Sequence, residues 1–359
     1  MASSSSSQPT HILVVGAGAV GCFYASRLHS PERGVLVSLV CRSNYPTIKA
    51  KGVHLKTRDF GEYHFTPHRA YGSIAEAAED GKTLGGWQHV VVTTKALPDQ
   101  VDDSASIAPL VSEGRTVVSL IQNGVGIEQP HRSRFPSNPV VSCVTVISAE
   151  QTSHGQITQN RWTRISLGPY TDGVGDDTSS SLAQRGKEAT EQLCSWWSAG
   201  GIKDAEPHSE KELQLIRWHK LTINAAFNPS AVLSGGLGNA LMVLDEAGEL
   251  RRHIEGCMAE IFSVGPRVLN VERFPDHLAR PEKIVKSTER NDKAAKPSML
   301  LDWEAGRPME LEVILGNPVR IARERGLEMP RLQSMYALLK AAQAQRMARD
   351  KESKERARL

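Results

Sequence analysis

The sequence predicts an α/β protein in which an N-terminal doubly wound parallel sheet is followed by an all-helical C-terminal domain. Short apolar runs rich in branched residues recur in the first part of the chain, at residues 12–15, 35–40, 89–93, 116–121 and 140–147. Loop or helical segments separate these runs, an alternation typical of parallel strands joined by crossover helices. Beyond Glu206, long helical patterns replace the strand signals. We therefore expect a change of architecture near that residue.

Three glycines mark the turn between the first predicted strand and the first predicted helix. They are Gly16, Gly18 and Gly21, and Ala19 and Val20 open an apolar helical face between the second and the third. In this context the first glycine allows a tight turn, the second lets a pyrophosphate approach the backbone, and the third permits close helix–strand packing. The phosphates would lie at the helix N-terminus. These five residues are therefore predicted to bind a dinucleotide on a Rossmann-type domain; the alternative is a glycine-rich turn that binds nothing.

The end of the second predicted strand favours NADPH over NADH. Units that prefer NAD usually place an Asp or Glu there to hold the ribose 2′-hydroxyl, but residues 41–44 read Cys-Arg-Ser-Asn. Arg42 can instead pair with a 2′-phosphate, and Ser43 or Asn44 can add hydrogen bonds. The alternative is a surface arginine that merely follows a strand.

Composition and charge exclude several classes of function. The 359 residues suffice for two domains with substantial cores, and a net charge of +3 with 23% charged residues gives no support to nucleic-acid binding. No apolar stretch reaches the length of a membrane span. The five scattered cysteines form no CxxC pair, which predicts reduced thiols in a cytoplasmic protein without a metal site. The helical domain is a candidate surface for a homodimer, and the sequence does not decide the oligomeric state.

Four segments are predicted along the chain. Residues 1–10 form a disordered serine-rich arm without the features of a signal peptide, and residues 11–206 form the NADP-binding Rossmann-type domain. Residues 207–345 form a helical substrate and catalytic domain, and residues 346–359 form a polar helical tail in which acidic and basic residues alternate at short spacing. Helices are expected at about residues 182–198, 209–227, 244–269, 281–305 (interrupted) and 308–325, and from 332 onward.

A stripe of polar residues follows one face of the otherwise apolar helix predicted at 209–227. Lys220, Asn224 and Asn228 recur at steps of four residues, and Pro229 is expected to end or kink the helix just beyond them. A lysine buried there without partners would be costly, so it must face a polar cavity or change its charge state. Such an environment suits a general acid that works near neutral pH. The alternative is a lysine whose amine reaches solvent.

A second candidate is Asn123, which follows a buried predicted strand at the end where ligands bind in parallel sheets. Its amide can donate to a substrate carbonyl or hold a ribose hydroxyl. The alternative is a turn formed by the Asn-Gly pair.

A third candidate is the block of residues 297–311. Taken alone, Ser298 would be a helix N-cap, Pro308 the first residue of the next helix, and Glu310 part of its first turn. Local sequence therefore favours structural roles for this block.

Together these segments resemble the ketopantoate reductase (2-dehydropantoate 2-reductase) family. The resemblance extends from about residue 11 to residue 317 and keeps the order and spacing of the family pattern. It is carried by the N-terminal GxGxxG, Thr94-Lys95-Ala96, Gln122-Asn123-Gly124, the Lys-x3-Asn-x3-Asn helix and the block Ser-Met-Leu-x-Asp-x3-Gly-Arg-x2-Glu.

The resemblance implies an NADPH-dependent enzyme that reduces a 2-oxo acid to a 2-hydroxy acid. The first candidate substrate is 2-dehydropantoate, the precursor of pantoate in pantothenate biosynthesis. Lys220 would be the general acid, Glu310 would lie beside the nicotinamide ribose, and Asn123 would orient cofactor and substrate. The other roles implied are substrate binding by Asn224, Asn228 and Ser298, and contacts of Arg42 and Lys95 with the NADP phosphates or ribose.

The chain also departs from the family pattern near the expected substrate. The family often carries an Asn-Gly pair after the position of Asn228, whereas Asn239 is the nearest amide in the loop of this chain, and Leu301 replaces a commonly polar residue. These departures keep two alternatives open. One is a paralogous NADPH reductase of another branched 2-oxo acid or carbonyl compound; the other is a non-catalytic regulatory protein that senses NADPH.

Overall fold

The computed structural model describes residues 8–356. Residues 1–7 of the predicted arm and the last three residues of the predicted tail lie outside the described residues, and the arm's last residue, Thr10, already belongs to the first strand. Two compact units are present. The first, the sheet unit, comprises the chain up to Lys95, residues 102–122 and residues 127–213. The second, the helical unit, comprises residues 96–101, residues 123–126 and the chain from Gln214 onward. The domain limits predicted from the sequence, at residues 206 and 345, stay predictions.

The sheet unit is built on one mixed sheet, which contains all ten strands found in residues 8–356. In chain order the strands are β1 (Thr10–Val15), β2 (Val35–Val40), β3 (Val53–Thr57), β4 (Gly61–Phe65), β5 (Ala70–Tyr71), β6 (His89–Val92), β7 (Val117–Ile121), β8 (Val140–Ser153), β9 (Gln156–Pro169) and β10 (Ala205–Pro207). Their order across the sheet is β4-β3-β9-β8-β7-β6-β1-β2-β5, and β10 pairs with β9.

A parallel core runs from β5 through β2, β1, β6 and β7 to β8. Its central strands are buried on both faces, which is why they appear in the sequence as continuous apolar runs. The helices of this unit are α1 (Ala19–Leu28), α2 (Tyr45–Lys51), α3 (Ile74–Thr83), α4 (Asp103–Ile107), α5 (Gln129–Arg134) and α6 (Ser181–Ala199). This arrangement confirms the α/β class and the N-terminal parallel sheet.

The end of the sheet beyond β8 differs from the rest. Strands β8 and β9 form one long antiparallel hairpin of 14 residues each, with register shifts between Ile147 and Ala149. Strands β3 and β4 extend the same sheet, because β3 pairs in parallel with β9 and antiparallel with β4. The short strand β10 follows α6 and pairs in parallel with β9.

The helical unit contains no strand in its described residues. Its helices are α7 (Glu210–Leu233, which begins in the last residues of the sheet unit), α8 (Asn239–Val243), α9 (Glu249–Val268), α10 (Pro281–Thr288), α11 (Ser298–Glu304), α12 (Asn317–Glu324) and α13 (Pro330–Arg356). A π-helical turn, Glu312–Gly316, directly precedes α12. The predicted all-helical C-terminal region is therefore confirmed. None of the described helices combines the length and the apolar character that crossing a membrane requires.

Two local expectations in this unit are wrong: an end of α7 at Pro229, which was the alternative to a kink there, and a helix start at Pro308. Helix α7 does not end before Pro229 but continues to Leu233. The missing N–H removes one backbone bond, but Ser234 N–H still donates to the Ser230 carbonyl at 2.8 Å, and the turn beyond the proline buries Ala231 completely. The helix expected from Pro308 begins only at Leu311, so Glu310 precedes the helix instead of lying in its first turn.

Candidate functional site

The glycine turn has the geometry that its sequence requires. Gly16 adopts a positive φ of +113°, a conformation that favours glycine, directly after β1. A Cβ added to Gly21 would lie 2.1 Å from the Gly16 carbonyl oxygen, so this close packing of α1 on the turn requires glycine. Gly18 is different: it is exposed, and a Cβ there would meet no heavy atom within 4 Å. The backbone around Gly18 is thus open to an approaching ligand, at the N-terminus of α1.

Two side chains hold this turn in place, and the sequence patterns assign neither of them to that role. Thr93 Oγ1 donates to the Gly16 carbonyl at 2.5 Å, and Asn44 Nδ2 donates to the Ala17 carbonyl at 2.6 Å. Asn44 is buried, and its Oδ1 accepts from the Arg42 N–H at 3.3 Å. Asn44, which the sequence offered as a donor to a phosphate, therefore has its amide committed to the backbone of the turn.

The basic residues predicted to contact the cofactor lie at the same edge of the sheet as the glycine turn. The parallel register pairs Val15 of β1 with Val40 of β2 and with Val92 of β6, so the carboxyl ends of these strands are level. Arg42 follows β2 and Lys95 follows β6, and both residues are exposed. This edge therefore presents positive charge beside an open helix N-terminus, an arrangement suited to a phosphorylated dinucleotide.

Within the helical unit, three of the predicted residues form a hydrogen-bonded chain. Lys220 Nζ on α7 donates to Asn123 Oδ1 at 2.9 Å, and Asn123 Nδ2 donates to Glu310 Oε2 at 3.3 Å. Glu310 is buried, and its other oxygen, Oε1, accepts from the Ala96 N–H at 3.1 Å. The carboxylate thereby fixes the orientation of the Asn123 amide, whose oxygen in turn faces the lysine. We call Lys220, Asn123 and Glu310 the polar triad.

The amine of this triad has an altered acidity. Burial lowers the pKa of Lys220 to about 8, the positive charge of Arg217 contributes to the lowering, and the negative charge of Glu310 opposes it. At neutral pH such an amine is still mostly protonated, yet it releases its proton far more readily than an ordinary lysine. It is suited to donate a proton.

The remaining predicted residues lie outside the triad. Asn224 is half-buried and Asn228 is buried, one and two turns beyond Lys220 on α7, and Ser298 is exposed at the first position of α11. The N-cap of α11 is Pro297, so Ser298 does not have the capping role that local sequence favours. In the described residues, no hydrogen bond of the triad reaches Asn224, Asn228 or Ser298.

Glu310 owes its position to contacts that the local sequence does not reveal. The Met309 N–H donates to Gln343 Oε1 of α13 at 2.8 Å, and the Ala96 N–H donates to Glu310 itself. These contacts with residues far apart in the chain accompany a non-helical segment at 307–310, where local sequence favours a helix start at Pro308. Glu310 is thereby directed towards the triad instead of into a first helical turn.

Two further polar residues border the predicted ones. Gln122, in the sheet unit, is buried and donates from Nε2 to the Thr94 carbonyl at 3.0 Å and to Asp103 Oδ2 at 2.7 Å. In the helical unit, Arg217 is buried and donates from Nη1 to the Gly124 carbonyl at 3.0 Å. Arg217 lies three residues before Lys220, and residues at this spacing are neighbours on a helix. The polar stripe at steps of four residues does not include it.

Comparisons with known proteins cover nearly the whole described chain. The family model described as Ketopantoate reductase PanE/ApbA matches residues 12–172, and the model described as Ketopantoate reductase PanE/ApbA C terminal matches residues 212–343. The chain is 31% identical to an uncharacterized protein of Saccharomyces cerevisiae, over 93% of this chain and 94% of that one. It is 28% identical to a 2-dehydropantoate 2-reductase of Mycobacterium tuberculosis, over 93% and 98% of the two chains.

A solved structure agrees with these matches. The crystal structure of 2-dehydropantoate 2-reductase from Methylococcus capsulatus superposes with a TM-score of 0.75 at 33% sequence identity, covering 94% of this chain and 97% of that one. The two family models match on both sides of residue 206, and one relative is more than 30% identical over nearly the full length. Both findings agree with the family that the sequence motifs resemble. The chain is an oxidoreductase that acts on CH–OH donors and belongs to the ketopantoate reductase family.

Proposed function

We propose that the protein reduces a 2-oxo acid to the 2-hydroxy acid with NADPH, and that Lys220 is the general acid. The observation that carries this proposal is the polar triad, in which a lysine with a pKa lowered to about 8 is oriented by an amide that is itself fixed by a buried carboxylate. The family supports reduction of this type, with 2-dehydropantoate as the first candidate substrate.

The residues at the sheet edge fit the cofactor that this reaction needs. The open backbone at Gly18 leaves room for a pyrophosphate at the N-terminus of α1, and Arg42 and Lys95 supply positive charge at the same edge. NADPH, when bound, supplies the hydride for the carbonyl carbon.

The polar triad accounts for the fate of the carbonyl oxygen. Negative charge develops on this oxygen as the carbonyl carbon is reduced, and the ammonium of Lys220 stabilises that charge and donates the proton from Nζ. Asn123 Oδ1 accepts a hydrogen bond from the Lys220 amine and thereby fixes the position of that amine. Glu310 keeps the Asn123 amide in the orientation that accepts from the lysine. In this proposal Asn224, Asn228 and Ser298 hold the carboxylate and hydroxyl groups of the substrate.

A substrate panel tests this proposal. Purified protein is mixed with NADPH and 2-dehydropantoate, or with related branched 2-oxo acids, and the loss of NADPH absorbance is followed, with NADH as the control. Turnover of 2-dehydropantoate with NADPH supports the full proposal. Turnover of a different acid only would support the mechanism and change the substrate. This outcome is tested because Leu301, which is exposed, replaces a residue that is commonly polar in the family. Tight NADPH binding without turnover of any acid would contradict the proposal and favour a regulatory NADPH-binding protein.

The pH dependence of reduction should follow the protonation of Lys220. Because the general acid must carry its proton, we expect kcat/KM to be nearly constant below pH about 8 and to fall about tenfold per pH unit above it. Oxidation of the hydroxy acid needs the neutral amine and should show the opposite trend. Initial rates in both directions between about pH 6 and 10 check this expectation. A reduction rate that stays constant through this range would contradict the acid role of Lys220.

Arg42 should determine the preference for NADPH. Replacing Arg42 with alanine is expected to raise KM for NADPH by about tenfold or more, since one charge-assisted contact with the 2′-phosphate is lost, and to leave KM for NADH nearly unchanged. The exposed Arg33, which ends the short 3₁₀ turn before β2, offers a matched control as Arg33→Ala. Equal effects of Arg42→Ala on both cofactors would contradict the assignment of Arg42 to the 2′-phosphate.

A further inference from the structure

Arg217 lies on α7 one turn before Lys220 and is only 3% exposed. Side chains three residues apart on a helix are neighbours on its surface. The guanidinium is directed towards the loop at 123–126, because its Nη1 donates to the Gly124 carbonyl at 3.0 Å. A buried cation therefore lies next to the amine of the polar triad and contacts the residue that follows Asn123.

The turn that Arg217 contacts is tightly constrained. Gly124 has a φ of +86°, and a Cβ there would lie 2.3 Å from the Val313 carbonyl oxygen. The same carbonyl, within the π-helical turn, accepts from the Val125 N–H at 3.0 Å, and Asn317 Nδ2 donates to the Val125 carbonyl at 2.8 Å. The loop is thus held against the π turn on one side and by Arg217 through the Gly124 carbonyl. Since Asn123 directly precedes this point, the direction of its amide depends on these contacts.

The charge of Arg217 acts on the same amine. The groups that face Lys220 are Arg217 on α7, Asn123 in its loop and Glu310 before the π turn. After burial itself, Arg217 is the larger cause that lowers the pKa of Lys220, and Glu310 raises it. A guanidinium keeps its positive charge in proteins, so this influence does not depend on pH in the working range of an enzyme.

We propose that Arg217 is a positioning residue of the candidate site, which holds the Asn123 turn through the Gly124 carbonyl and places a second positive charge beside the Lys220 amine. The inference rests on the proposed function, because the acidity of Lys220 affects turnover only if Lys220 donates the proton. A donor whose acidity matches the working pH transfers its proton efficiently. Arg217 would therefore increase the rate at neutral pH without touching the substrate.

Three variants separate the two actions of Arg217. Arg217→Gln keeps a donor for the Gly124 carbonyl but removes the charge, and we expect the alkaline limb of kcat/KM to move upward by about one pH unit. Arg217→Lys keeps the charge without the planar donor geometry, so we expect an unmoved limb and a kcat lowered at every pH. Arg217→Met removes both and should show both changes. If Arg217→Met does not fold, the other two variants still decide.

A readout without turnover keeps this inference distinct from the proposed function. Trace labelling of Lys220 with acetic anhydride across the pH range, read by mass spectrometry of its peptide, reports the protonation of the amine directly. Arg252→Gln is the control, since Arg252 is exposed and pairs with Glu249 on α9.

The labelling curve of wild-type Lys220 should have its midpoint near pH 8 and should move upward in Arg217→Gln but not in the control. An ordinary midpoint for wild-type Lys220, or an unmoved curve in Arg217→Gln, would overturn the inference. A labelling curve that moves while the rate profile does not would contradict the acid role of Lys220 and still support the action of Arg217 on the amine.

Discussion

Replacing Lys220 with alanine is expected to lower kcat for 2-oxo acid reduction by about a hundred- to ten-thousand-fold, the range over which general acids contribute. The variant removes both the proposed proton donor and the positive charge proposed to stabilise the developing alkoxide. It also leaves Asn123 without the partner that its Oδ1 accepts from. The three losses coincide in one side chain, which is why we expect this substitution to have a larger effect on turnover than any other in the helical unit.

Binding and stability measurements show whether the loss is chemical. NADPH affinity, followed by its fluorescence, should be nearly unchanged in Lys220→Ala because Lys220 is not among the residues assigned to the cofactor. Lys211→Ala is a matched control on the same helix, since Lys211 pairs with Asp176 outside the triad. Turnover of Lys220→Ala close to that of the control would refute the assignment of the general acid, whatever substrate the panel reveals.

The success of the sequence in predicting the sheet has a physical cause. Central parallel strands are covered on both faces, so strands such as β1 and β7 must be apolar throughout and can be recognised locally. The hairpin of β8 and β9 continues beyond Ile147 with exposed polar residues, and pairing between the two strands, not apolar periodicity, defines its outer half. The sequence therefore predicted the apolar part of β8, at residues 140–147, and not the full length of that strand.

The candidate site was predictable to a similar degree. The apolar helix around Lys220 indicated that this lysine needs a polar environment, but the partners come from segments distant in the chain, and only the family resemblance brought Asn123 and Glu310 together. A helix end at Pro229, one of the two outcomes expected there, is wrong because α7 continues to Leu233 and buries Ala231 beyond the proline. A helix start at Pro308 is wrong because contacts of Glu310 with Ala96 and Asn123 accompany a non-helical backbone. Both failures reflect tertiary contacts that outweigh local preference.

Two alanine substitutions in the glycine turn are expected to reduce stability to different extents, because a methyl group has space at Gly18 and none at Gly21. In Gly21→Ala the new methyl group would lie 2.1 Å from the Gly16 carbonyl and 2.4 Å from Thr93 Oγ1, so the turn must shift. We expect a loss of about 2–3 kcal/mol in the free energy of unfolding, as in other overpacked interiors. In Gly18→Ala the backbone has an ordinary φ of −81° and the methyl group meets no protein atom, so the loss should stay below about 1 kcal/mol, the value typical of helix N-caps.

NADPH binding then distinguishes an open turn from a cofactor site. If a pyrophosphate passes over Gly18, the methyl group occupies its space, and Gly18→Ala should weaken NADPH binding by about tenfold or more while the protein stays folded. Chemical denaturation and NADPH titration of the same preparations of both variants provide the two readouts. A Gly18→Ala protein that binds NADPH like the wild type would mean that the phosphates do not approach this backbone, and the glycine turn would then be a structural feature alone. Weakened binding in a protein of unchanged stability would mean that the ligand itself meets the added methyl group, because no protein atom lies within 4 Å of it.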